Sequence, residues 1–122
     1  MPDGDGLRAV VFVGSSLSDL KALPDPVQDH FGYALYTAQC GAKHRDAKPL
    51  TGFGGSGVLE VVRDYRGGTF RAVYTVRLAN AVYVLYVFQK KAKSGIEAPQ
   101  SDMQLIRQRL QEAERMAKES KR

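Results

Sequence analysis

The spacing of apolar positions changes along the chain, and each change marks an element. The run LRAVVFV, Leu7 to Val13, is rich in β-branched residues, stops at Gly14 and predicts a first strand. Ser15 and Ser16 offer caps for a short helix, with Asp19 three residues after Ser16 and Leu17, Leu20 and Leu23 as its apolar stripe. Asp25 before Pro26 signals a second helix, in which Val27, Phe31, Ala34, Leu35 and Ala38 recur at helical spacing until Gly41 offers a stop. Residues 42–57, AKHRDAKPLTGFGGSG, have no period and read as a long loop. Alternation then returns in Val58 to Asp64, Thr69 to Leu78 and Ala81 to Gln89, joined by the turn residues Tyr65-Arg66-Gly67-Gly68 and Ala79-Asn80. Pro99, Ser101 and Gln104 open a terminal helix with Met103, Ile106, Leu110, Ala113 and Ala117 on one face.

The order strand, helix, helix, three strands, helix predicts an α+β fold: a compact antiparallel sheet, made of the N-terminal strand and a three-strand meander, with a helix hairpin on one face and a C-terminal helix. Residues 1–6 read as a disordered tail, 7–117 as one domain and 118–122 as a frayed end. With simple pairing, one sheet face collects Leu59, Val61, Phe70, Ala72, Tyr74, Val76, Tyr83, Leu85 and Val87 and is assigned to the core. The other face collects Val58, Glu60, Val62, Arg71, Val73, Thr75, Arg77, Val82, Val84, Tyr86 and Phe88, with Arg71 opposite Phe88 and one diagonal step from Tyr86.

Charge changes the picture of that second face. The chain carries 18 Lys and Arg against 13 Asp and Glu, and from Arg66 to Lys93 there are six basic residues and no acidic one. Basicity is therefore local, as for a surface that meets a polyanion, although lysines at a strand end also serve as solvated guards against edge aggregation. Arg71, Arg77, Lys90, Lys91 and Lys93, overhung by Lys43, His44, Arg45 and Lys48 of the loop, would form a cationic cleft in which Tyr86 and Phe88 stack on bases. The opposing reading pairs each arginine with a carboxylate such as Glu60.

The remaining chemistry-bearing residues exclude more than they suggest. One cysteine, Cys40, gives no intramolecular disulfide and reads as a buried or half-buried small residue. Two histidines, His30 read as a surface residue and His44 in the basic loop, form no recognisable zinc motif, so neither metal nor cofactor is expected. The glycines at 52, 54, 55 and 57 precede a strand and lack the ending of a P-loop, which makes them turn geometry. No apolar run reaches the roughly 18 residues of a membrane span, and a cytoplasmic protein is expected.

Three stretches carry a resemblance: K-x-L-x-G-F-G-G from Lys48, R-A-V-Y-T-V from Arg71 and F-Q-K-K-x-K-S-G from Phe88. With the preceding helices, they resemble the phage-derived, HigB-like branch of the RelE/ParE toxin superfamily over roughly Val10 to Met116. The resemblance implies a RelE-like fold and the toxin of a type II toxin-antitoxin pair: an endoribonuclease that cuts mRNA at the ribosome without a metal. The same resemblance implies an antitoxin of helix-turn-helix type that holds the toxin in check. It further implies that Arg71 contacts the scissile phosphate, that Lys90, Lys91 and Lys93 form the basic motif after the last strand, and that Lys48 is the lysine ahead of the glycine-rich turn.

One position departs from the family pattern. Relatives read L-H-x-F where this chain reads Leu85-Tyr86-Val87-Phe88, so a phenol of pKa about 10 replaces an imidazole of about 6.5. Arg71, Tyr86, Lys90 and Lys91 are thus the catalytic candidates, with Tyr86 expected to have its pKa depressed by adjacent cations. Lys48, Arg77, Phe88, Lys93, Lys43, His44 and Arg45 are the RNA-binding candidates. A ParE-like inhibitor of DNA gyrase and a degenerate module that binds only its antitoxin remain as alternatives.

Overall fold

The computed structural model describes residues 6–53, 55, 57–90 and 100–120. Strands β1 (Ala9–Phe12), β2 (Lys48–Pro49), β3 (Val58–Tyr65), β4 (Gly68–Leu78) and β5 (Ala81–Gln89) form one sheet in the order β1-β5-β4-β3-β2. Helices α1 (Ser16–Lys21) and α2 (Asp25–Gln39) follow β1, and α3 (Gln100–Ser120) ends the described chain. The tail at 1–5, the Ser94-Gly95 break, Pro99, Lys91 and Lys93 lie outside the described residues.

The meander has the expected bounds to within a residue. Its turns are tight because Arg66 and Gly67 take φ of 49° and 81°, and Ala79 and Asn80 take 48° and 56°, the left-handed pairs that match strand twist in two-residue hairpins. Two features of the sheet depart from the sequence reading, and the first corrects the wholly antiparallel sheet expected there. β1 pairs in parallel with β5, Ala9 opposite Ala81, which makes the sheet mixed. The short β2 comes out of the long loop and pairs antiparallel with β3, Lys48 opposite Glu60. Both pairings join segments distant in sequence, so local alternation carries no trace of them.

Helix α2 ends as Gly41 suggests. Gly41 N–H donates to the Ala38 carbonyl and Ala42 N–H to that of Thr37, with Gly41 at φ 86°, a Schellman stop. Its five anticipated core residues are all buried against the sheet. Asp25 is the first helical residue rather than the cap, since Pro24 O takes the first helical bonds, from Val27 and Gln28 N–H. In α1, Ser15 Oγ donates to the Asp19 carboxylate instead of capping a backbone N–H, and Leu17 is exposed while Leu20 and Leu23 pack inward. Cys40, expected to be buried or half-buried, is the C-cap residue just past the end of α2 and is exposed. The terminal helix continues to Ser120, past the expected fray point.

Both faces of the sheet are covered. Helix α2 packs on the face of Val61, Phe70, Ala72, Tyr74, Val82, Val84 and Val87. Helix α3 lays Ile106, Leu110, Ala113 and Ala117 on the face of Val58, Val73, Tyr83, Leu85 and Phe88. The second face is thus a second core rather than an open cationic platform. β5 also changes sides within itself. Val73 pairs with Tyr86 but Tyr74 with Val84, so Leu85 is an extra residue, a β-bulge, and Leu85 and Tyr86 both face α3. This corrects the facing of four residues: Tyr83 and Leu85 belong to the α3 side, Val82 and Val84 to the α2 side. Beyond the bulge the alternation agrees again, which is why Tyr86 and Phe88 lie where expected.

Tyr74 gives a testable feature of the α2-side core. Its ring is sealed in and its hydroxyl has no hydrogen-bond partner among the described residues, and burial pushes its pKa up to about 12. Tyr74→Phe removes an unpaired polar group and is expected to stabilise the protein by about 1–2 kcal/mol in urea unfolding. Because the folded-state pKa is raised, the wild type keeps full stability below the unfolded value of about 10 and loses it as pH rises toward about 12. That alkaline loss should shrink in the variant.

Candidate functional site

On the α3 side, pairing across strands sets out two rows of side chains. One row runs Lys48, Glu60, Val73, Tyr86 over β2, β3, β4 and β5, and the next runs Val62, Arg71, Phe88. Arg71 is therefore opposite Phe88, as expected, with its guanidinium carbon 6.0 Å from the Phe88 ring centre. Phe88 in turn stacks on Tyr86 at 4.3 Å. Arg71 is only 7% exposed and its Nε lies 3.0 Å from Glu60 Oε1, with Glu60 itself 9% exposed. Neither of these two atoms makes a hydrogen bond elsewhere among the described residues. The guanidinium Nη groups make none among the described residues. Glu60 is the residue that sequence reasoning treated only as a charge partner; its place on the same face as Arg71 was the available signal.

Tyr86 is held by α3. Its hydroxyl donates to Asp102 Oδ1 at 3.3 Å, and the Arg109 guanidinium lies over its ring at 5.4 Å. Arg109 also donates to the Leu85 carbonyl at 3.0 Å and to Ser15 Oγ at 3.0 Å, and it sits where a side chain at Gly14 would go. One arginine thus ties the bulge, the end of β1 and α3 together. Burial, then the Asp102 charge, push the Tyr86 pKa above its usual value, with Arg109 opposing only weakly. This corrects the expectation of a depressed phenol: burial and, after it, the Asp102 carboxylate outweigh Arg109. Tyr86, Phe88 and Gln89 line a cleft of about 500 Å³ with Asp19, Ala22, Leu23, Ser101 and Asp102. Its described lining includes two carboxylates and no Lys or Arg, so it is not the cationic cleft the charge count suggested.

The other candidates disperse. Lys90 follows β5 and donates its N–H to the Thr69 carbonyl. Lys48 is exposed at the sheet edge on the Glu60 row. Arg77 reaches the loop instead of a ligand, donating to the Gly55 carbonyl at 2.7 Å and covering Gly57. Gly52, Gly55 and Gly57 have φ of 98°, 78° and 78°, in keeping with their reading as turn geometry.

Lys43, His44 and Arg45 lie on the opposite side of the sheet, against α2. His44 is buried, not a free loop side chain, with Tyr33 and His30 edge-on to its ring. His30 is half-buried, with its Nε2 at 3.2 Å from Asp46 Oδ2; burial, Arg63 and His44 together lower its pKa despite Asp46. These residues, with Thr37 and Arg63, line a separate cavity.

The sequence profile of the phage-derived Gp49-like family (DUF891) matches residues 18–111, from within α1 to within α3. The chain belongs to this family. No curated protein and no solved structure matches it. In this Gp49-like chain the match encloses the Glu60, Arg71 and Tyr86 face and the His30, His44 and Asp46 cluster alike. No helix among the described residues is long and apolar enough to cross a membrane.

Proposed function

We propose that this Gp49-like protein is the toxin of a type II toxin-antitoxin pair and cleaves mRNA at the ribosome by metal-independent transesterification. The observation that carries the reading is the convergence of Glu60, Arg71 and Tyr86 on one face, beside Lys48 and at the head of the basic segment that starts at Lys90. Glu60 and Tyr86 are separated by one intervening strand, roughly 10 Å between backbones, a span their side chains can close on a phosphate from either side.

Each residue type then has a task. The Glu60 carboxylate takes the proton of the ribose 2′-OH, whose oxygen attacks phosphorus. Arg71 stabilises the charge of the pentacovalent phosphorane through its Nη groups, while its Nε holds Glu60 in place. The P–O5′ bond breaks, and Tyr86, kept protonated by its raised pKa, supplies the proton to the leaving oxygen. The products are a 2′,3′-cyclic phosphate and a 5′-hydroxyl, and both side chains regain their states by exchange with water. Lys90 and Lys48 fall to flanking phosphates. A cognate antitoxin of helix-turn-helix type would cover this face.

A degenerate module that binds only its antitoxin is the second reading, favoured by the near-complete burial of the Glu60–Arg71 pair. Translating ribosomes programmed with a defined mRNA and incubated with the purified protein separate the two. Cleavage with cyclic-phosphate ends, slowed by about 10²-fold or more in Glu60→Gln, is the expected outcome. Intact mRNA with folded wild-type protein would favour the degenerate module, and full-rate cleavage by Glu60→Gln would remove Glu60 as the base.

A further inference from the structure

The chain's two histidines, fourteen positions apart in sequence, meet on the α2 side of the sheet. His30 is placed by α2, whose next residue Phe31 is fully buried and fixes the turn. His44 and Asp46 are presented by a tight turn in which Ala47 N–H donates to the His44 carbonyl and Asp46 N–H to His44 Nδ1. His30 Nε2 approaches Asp46 Oδ2 at 3.2 Å and His44 Nδ1 approaches it at 4.0 Å. One donor atom from each of the three residues lies within 4.8 Å of the others.

We propose that His30, His44 and Asp46 bind a divalent transition-metal ion, zinc foremost, and so clip helix α2 to the loop that leads into β2. Zinc bonds of about 2.0–2.2 Å in a tetrahedron place ligand atoms roughly 3.4 Å apart, so the three donors need only a small closure. Two imidazoles and one carboxylate are the donor set of borderline metals rather than of magnesium or calcium. The donors face a cavity of about 430 Å³, which leaves the remaining coordination position to water. His30 Nε2 is sealed from solvent and turned toward Asp46 Oδ2, so the nitrogen a metal would use already faces the carboxylate that would share the ion. Ligation through His44 Nδ1 exchanges the Asp46 amide contact for a metal bond.

The charges that face the site are Lys43, Arg45 and Arg63. Lys43 and Arg45 are exposed and screened by water, whereas Arg63 is half-buried beside His30. Arg63 therefore opposes the ion, and neutralising it strengthens binding. Because the cluster is on the other side of the sheet from Glu60, Arg71 and Tyr86, the ion takes no part in the proposed cleavage.

Calorimetric titration of zinc chloride into the full-length, untagged chain in a Cys40→Ser background, which removes the exposed thiol, tests the proposal. One ion per chain is expected. Loss of an outer-shell partner alone commonly costs about 10–100-fold in affinity, so Asp46→Asn and His30→Gln should each weaken binding by at least about tenfold. Arg63→Met should tighten it, and zinc should raise the melting temperature of the parent but not of Asp46→Asn. Asp46 is exposed, so its variant folds whatever the fate of buried His44. Absence of binding, equal affinity in all variants, or binding of inorganic phosphate in place of zinc would each overturn the assignment.

Discussion

Arg71→Ala is expected to abolish toxicity and to destabilise the fold by about 3–5 kcal/mol, because it leaves the Glu60 carboxylate nearly buried without its cation. Urea unfolding measures the second effect, and survival of an induced bacterial host the first. A loss of fold would by itself remove toxicity, so the informative variant is Arg71→Lys. Lysine keeps a positive charge against Glu60 but replaces a rigid fork by a compact ammonium that cannot present a bidentate pair of donors to a phosphate while it faces Glu60. It should retain most of the stability while slowing cleavage by about 10²-fold or more, the scale of losing one preorganised oxyanion donor. Equal stability and equal activity in Arg71→Lys would reduce the pair to a structural ion pair.

Tyr86→Phe should lower kcat by about 10²–10⁴-fold, since the ring and its stacking on Phe88 remain and only the proton donor is lost. The stability cost should be small, about 0.5–1.5 kcal/mol, for one hydrogen bond to Asp102. The pH dependence separates the acid role from the base role that a depressed phenol would have. Burial and Asp102 hold the phenol above its usual value, so the wild-type rate should show no loss from Tyr86 deprotonation below pH about 10. A descending limb between neutrality and that value, absent in Tyr86→Phe, would mean that adjacent cations do depress this group.

The contrast between what alternation reveals and what it hides is sharpest in β5. Its bounds, Ala81 and Gln89, are legible because tight turns and a run of β-branched and aromatic residues mark them. Its bulge is not, since Leu85 differs in no local way from its neighbours and the group that satisfies its carbonyl, Arg109, is 24 residues away. The same holds for the site. Arg71 opposite Phe88 follows from hairpin register and alternation, and Glu60 lies on that face by the same rule. The actual meeting of Glu60 with Arg71, the docking of Asp102 on Tyr86, and the cluster of His30 with His44 and Asp46 depend on packing between elements. Charge counting misled for the same reason: a basic stretch says nothing of which cations end beside a buried carboxylate, and helix α3 covers the face that the arginines were expected to leave open.

The central claim, that this Gp49-like protein cuts mRNA with Arg71 at the scissile phosphate, is tested most directly by mapping new RNA 5′ ends across translated messages in bacteria induced for the wild type and for Arg71→Lys at matched protein levels. The account predicts cuts clustered in coding frames with the wild type and their loss with the variant. Growth arrest without new ends, or the same cuts in both strains, would contradict it.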